Sequence, residues 1–205
     1  MLLLLGLSAC DTPEETHGPD LAGTVTADDG ATAEVVATQA FVAGNGAAAR
    51  WLVTANADAT CADAAAYYGN DADFNAADVA SAGHCMLDLW ATTYDGAGNY
   101  DGSADVTVTL ACAMDDGAWV YETRTGRKAW YYDGPYWTGS PVGLLDYALE
   151  LGAVEEDAAA EFTLTIEGFD GRYPYDNDEP EADPATGTVS GWVSAEWCGD
   201  MDAAL

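Results

Sequence analysis

The chain has 205 residues, 36 acidic and 5 basic, giving a formal net charge of -31 at pH 7, and 11% of its residues are aromatic. That balance argues against nucleic acid or anionic lipid headgroups as partners, because phosphate binding depends on Lys and Arg; it suits a salty medium, where screening relieves self-repulsion, or the codon drift of a high-GC genome. The aromatic share speaks against a disordered acidic tail, and the length fits one domain with a single core.

The first ten residues are Met1, Leu2, Leu3, Leu4, Leu5, Gly6, Leu7, Ser8, Ala9 and Cys10, an apolar run closed by small residues and a cysteine. A transmembrane helix needs about 20 apolar residues, so this run is too short to be one. Leu7, Ser8, Ala9 and Cys10 resemble the bacterial lipobox at each of its positions. The resemblance implies that residues 1–9 are a signal peptide cut before Cys10, with a diacylglyceryl group on the cysteine sulfur and a further acyl chain on the new amino terminus. Several buried acyl chains anchor far more durably than one. The partner at this end is then a membrane, and the place is the cell envelope, facing the periplasm or the exterior. Asp11 resembles the inner-membrane retention signal of some Gram-negative bacteria.

Residues 10–22, rich in Asp, Glu, Pro, Thr and Gly, have no apolar period and read as a flexible tether, leaving 23–205 as one domain. In that domain, apolar and polar residues alternate as in half-buried strands. Glu34 to Val42 and Ala48 to Ala55 flank a turn at Ala43, Gly44, Asn45 and Gly46. Residues 61–68 suit a short helix, and 75–83 would suit a second. Antiparallel partners must share a face, which predicts Leu89 opposite Val108, Leu87 opposite Leu110 and Cys85 opposite Cys112. It also predicts Leu151, Leu149 and Tyr147 opposite Phe162, Leu164 and Ile166, and Ile166 and Phe162 opposite Val189 and Val193. A meander follows, within a mainly β protein: an antiparallel sandwich or partly closed barrel with one or two short helices.

With Cys10 assigned to lipid, four cysteines remain, and in an exported protein two disulfides are the default. The register predicts Cys85 with Cys112, and elimination leaves Cys61 with Cys198. The layout, with an early strand running into Cys61 and a last strand into Cys198, is similar to β-rich envelope lipoproteins of high-GC Gram-negative bacteria, a likeness that implies no activity.

Outside the tether, His84 is the single imidazole, its neighbour Cys85 is assigned to a disulfide, and no motif of a serine hydrolase, zinc protease or P-loop occurs. Carboxylates are so abundant that choosing two as the acid and base of a hydrolase is arbitrary, so that reading stands as the alternative. Asp95, Asn99, Asp101 and Asp105 resemble the middle of a calcium loop, with Ala97 and Val108 where the outer ligands would stand, so Ca2+ is the candidate cofactor. Trp119, Tyr121, Trp130, Tyr132, Tyr136 and Trp137 concentrate large amphipathic rings beside Arg124, Arg127 and Lys128. Such rings fill a core, or stack on a glycan or anchor an envelope protein. The expected function is a lipid-anchored envelope protein with a non-enzymatic binding or structural role.

Overall fold

The computed structural model describes residues 20–26, 30–68, 83–101, 103, 105–114, 117–122, 145–172 and 183–204. Eleven strands run through them: β1 Ala22–Thr26, β2 Thr32–Val36, β3 Gln39–Gly44, β4 Ala49–Thr54, β5 His84–Ala91, β6 Gly98–Asn99, β7 Val106–Met114, β8 Gly117–Glu122, β9 Leu145–Leu151, β10 Ala160–Arg172 and β11 Asp183–Trp197. One α-helix, α1, covers Cys61–Tyr68, and a 3-10 helix covers Gly199–Ala204. The expected second helix at 75–83 lies outside the described residues but for Gly83.

The fold is mainly β, and it closes on itself. The strands β1, β2, β5, β4, β3 and β11 form a ring, because β1 pairs with both β2 and β11. From the ring, β11 carries β10, β9 and β6 on one wing, and β5 carries β7 and β8 on the other. Each hairpin register read from the sequence is present: Cys85, Leu87 and Leu89 face Cys112, Leu110 and Val108. Likewise Phe162, Leu164 and Ile166 face Leu151, Leu149 and Tyr147 on one side, and Val193, Gly191 and Val189 on the other. These registers follow from burial, since Phe162, Leu164 and Ile166 are buried between exposed Glu161, Thr163 and Glu167, and a one-residue slip would turn them all to water.

Closure depends on features that local alternation does not encode. The ring is completed by two parallel bridges, Glu34 and Val35 to His84 and Cys85, and Phe41 and Val42 to Glu196 and Trp197. The stretch Glu34 to Val42, read as one strand, is therefore two, broken at Ala37 and Thr38 so that β2 and β3 reach different partners. Asp20 and Leu21, read as the end of the tether, belong to the fold: the Trp192 amide donates to the Asp20 carboxylate, and the Asp20 amide donates to the Trp192 carbonyl at 2.9 Å. β1 sits so close to β11 that a Cβ on Gly23 would lie 2.1 Å from the Thr188 carbonyl oxygen. Gly187, at φ +142°, meets Thr24 as closely from the other side.

The main core fills the interior, where Trp51 of β4 meets Phe162 of β10 edge-on at 6.2 Å although their strands are not neighbours. A second core lies on the outer face of β3, β4, β5 and β7, where Phe41, Leu52, Met86 and Ala111 are covered by Ala64 of α1 and Met201 of the 3-10 helix. β4 and β5 are thus buried on both faces, and read as nearly continuous apolar runs. Both expected disulfides are formed. Cys85–Cys112 joins β5 to β7, and Cys61–Cys198 fastens the start of α1 to the end of β11 across 137 residues of sequence.

Candidate functional site

α1 begins on a capping box. The Asp63 amide donates to the Thr60 hydroxyl, while the Thr60 amide donates back to the Asp63 carboxylate at 2.8 Å. The Thr60 side-chain and backbone hydrogen bonds hold the Asp63 carboxyl below its ordinary range. From that fixed start, one face of α1 lies on the outer core and its last turn brings Tyr67 and Tyr68 over β4 and β5.

Under Tyr68 lies a buried charge cluster. Arg50 donates from Nε and Nη2 to the two Asp88 oxygens at 3.0 and 2.6 Å, a fork-on-carboxylate geometry. The Tyr68 hydroxyl donates to the same Asp88 carboxylate at 2.9 Å. The guanidinium stacks 3.6 Å from the Tyr68 ring centre and lies 5.1 Å from that of Trp90, so both rings offer it their negative faces. Asp88 is the one buried charged residue among the described side chains, at 7% exposure. Burial alone would lower the Arg50 pKa, but the Asp88 charge and hydrogen bonds outweigh it and raise the value further. Burial, followed by the Asp88 charge, pushes the Tyr68 phenol well above its ordinary value. The cluster is closed on itself: cation, anion and hydroxyl satisfy one another, which is the chemistry of a fastener between helix and sheet. Sequence reasoning missed it, although a single Arg in apolar β4 and a single Asp in apolar β5 were its visible signal.

The candidate calcium loop is tied into the sheet. Its Gly98 and Asn99 form β6 and pair with Leu151 and Glu150 of β9. Asp101 accepts from the Leu149 amide and, at 2.8 Å, from the Asn99 side-chain amide, so both its oxygens have protein donors. Those two bonds, the first the larger, lower its pKa. Asp95 and Asp105 take up backbone roles: the Asp95 amide donates to the Tyr100 hydroxyl, and the Asp105 carbonyl accepts from Thr92. Among the described residues no three His, Cys, Asp or Glu side chains gather in a metal-holding group. A pair of stacked rings, Tyr94 and Tyr100, with centres 6.3 Å apart, holds the loop, and the Tyr94 hydroxyl donates to the Gly152 carbonyl at 2.6 Å.

The aromatic segment divides differently. Trp119 and Tyr121 lie on β8, opposite Cys112 and Leu110 of β7. Trp130, Tyr132, Tyr136 and Trp137 lie outside the described residues, as does Cys10. His84 stands at the β2–β5 bridge with its Nε2 3.9 Å from the Glu34 carboxylate, and its neighbour Cys85 is oxidised.

A concave surface of about 700 Å³ opens where the turn before β10 meets the end of β11. Asp157, Ala158 and Ala159 line one side, and Ser194, Ala195, Glu196 and Trp197 the other. Asp157 holds φ +60°, the left-handed turn conformation that Asp tolerates better than most residues. Comparison of the chain with protein-family models, with curated proteins and with solved structures gave no match.

Proposed function

We propose that this chain is a lipoprotein of the bacterial cell envelope, anchored through lipid on Cys10, whose β-domain binds or supports an envelope component without catalysing a reaction. One observation carries the reading: Cys61, Cys198, Cys85 and Cys112 pair among themselves, so the fifth cysteine, within Leu7, Ser8, Ala9 and Cys10, is not needed for a disulfide. Two disulfides agree with an oxidising compartment outside the cytoplasm. Asp20, pinned to Trp192, is ten residues past Cys10, a length of chain that reaches at most about 35 Å. Lipid on Cys10 would therefore keep the domain close to its membrane. No helix of the described residues is long and apolar enough to cross a membrane. The binding role draws on the aromatic segment Trp119 to Trp137, with a glycan or an envelope protein as its partner.

The test is expression of the full chain in a bacterium with an alkyne-tagged fatty acid, followed by mass spectrometry of the amino-terminal peptide. The expected product begins at Cys10, carries a diacylglyceryl thioether, and loses the tag in Cys10→Ser. An unmodified Cys10 thiol in protein extracted from membranes would overturn the anchor.

A further inference from the structure

We propose that the outward face of β2, β1, β11 and β10 lies against the bilayer that holds Cys10. This rests on the lipid-anchored reading given above. Register sets the face: Ala22 and Thr24 of β1 stand opposite Ser190 and Thr188 of β11. β10 extends it with Thr165 and Thr163, opposite Ser190 and Trp192, and β2 extends it with Val36, opposite Ala22. These residues are exposed, apart from half-buried Thr165 and Trp192. Val36, at 38% exposure, is the one exposed large apolar side chain among the described residues. Across the ring, the outward face of β4 and β5 is covered instead by α1 and the 3-10 helix.

Charge is the first reason to choose a membrane. The chain has 36 acidic residues, yet β1 and the run Thr186 to Ser194 of β11 contain none. Beside β1, the Asp20 carboxylate accepts from the Trp192 amide, and Glu34 lies 3.9 Å from His84 Nε2. Glu161, opposite Ser194, and Glu150, opposite Thr163, stand at the far edge. A carboxylate pressed against a bilayer loses water at a cost, so the uncharged face is the one that so acidic a chain can bring nearest to headgroups. The second reason is where the chain enters. Asp20 lies beside Trp192 at this face, and the ten residues back to Cys10 reach at most about 35 Å. So short a link gives an effective concentration on the order of millimolar, and weak contacts then suffice. Thr and Ser hydroxyls donate to headgroup phosphates, and Trp192 suits the membrane interface, where indoles concentrate. A net charge of -31 selects zwitterionic over anionic headgroups.

The experiment couples the full chain through Cys10, which lies outside both disulfides, to a maleimide lipid in vesicles of phosphatidylcholine and phosphatidylethanolamine. Hydroxyl-radical labelling, read residue by residue by mass spectrometry, is compared with that of the Cys10→Ser chain in solution. Labelling of Val36 and Trp192 is expected to fall about twofold, as a millimolar contact at millimolar effective concentration gives. Labelling of Tyr67 on α1 and Trp90 on β5, across the ring, should stay the same. Thr188→Glu combined with Ser190→Glu should return Val36 and Trp192 to their solution level, with circular dichroism checking that the variant folds. Unchanged labelling at Val36 and Trp192 would overturn the docking, as would an equal fall at Tyr67 and Trp90, or protection that survives in the variant. Protection of the Cys10→Ser chain that grows with its concentration in solution would mean that a second copy covers the face, and would overturn the docking too. Chemical coupling replaces acylation by the cell, so this proposal and the lipid anchor fail separately.

Discussion

Arg50 and Asp88, 38 residues apart in sequence, form a two-bonded ion pair on the outer face of β4 and β5, roofed by the Tyr68 ring. The Arg50 and Asp88 side chains are only 16% and 9% exposed. Removing one partner therefore leaves the other charge buried. Asp88→Asn or Arg50→Met is expected to cost about 3 kcal/mol of unfolding free energy in urea titrations, while the paired replacement Arg50→Met with Asp88→Leu should recover most of it. A paired loss equal to the sum of the two single losses would show that the charges are not coupled.

The Tyr68 phenol gives the fold an alkaline limit. Its folded pKa is raised above the unfolded value of about 10, so the native state keeps its proton where the unfolded chain has lost one. Stability should be unaffected by this group below about pH 10 and fall as pH rises beyond it. Tyr68→Phe should flatten that fall, measured by denaturant titration at pH 9 to 11. Asp63 works at the other end, since its lowered pKa places its contribution above about pH 4 and removes it as the solution is acidified further.

The two disulfides should differ in weight. The chain-entropy relation assigns about 5 kcal/mol to Cys61–Cys198, which spans 137 residues, and about 3.5 kcal/mol to Cys85–Cys112, which spans 27. Paired Cys→Ser variants compared in guanidinium should therefore lose more stability for the first bond. The reverse order would mean that strain or residual structure in the unfolded chain outweighs loop length.

Asp101 accepts from the Leu149 amide and so fixes the β5–β7 connection against β9. Asp101→Ala should speed hydrogen exchange at Leu149 and Tyr100, the latter because its amide donates to the Leu149 carbonyl at 2.8 Å. Exchange in the Cys85–Cys112 hairpin itself should not change.

Gly23→Ala tests how β1 is seated. The added methyl would fall 2.1 Å from the Thr188 carbonyl oxygen, in backbone that cannot move aside as a side chain would. A loss of about 3 kcal/mol is expected by thermal unfolding, the upper end for overpacking. Gly46→Ala, where nothing lies within 4 Å, provides the comparison for positive φ without a clash.

Much of this fold was written locally. The alternation in Phe162, Leu164 and Ile166 and in Val106, Val108 and Leu110 sets which face is buried, and burial sets the hairpin register. Register in turn placed Cys85 opposite Cys112, and the remaining pair followed. The short helix at 61–68 was legible from its alanines, and its capping residues Thr60 and Asp63 stood in view.

Other features needed the folded chain. The parallel bridges that close the ring are two residues long, too short to leave a period, and glycines at 23 and 187 show their purpose only when β1 lies against β11. Asp101 accepts N–H donors from its near neighbour Asn99 and from Leu149, 48 residues further on, and only the second needed the folded chain. Arg50, Asp88 and Tyr68 come from three elements. Sequence by itself determined which residues seek the interior and which neighbouring strands pair, because water acts on each side chain in place. Only tertiary structure decided which distant polar groups meet, because those contacts depend on how the strands close into a ring.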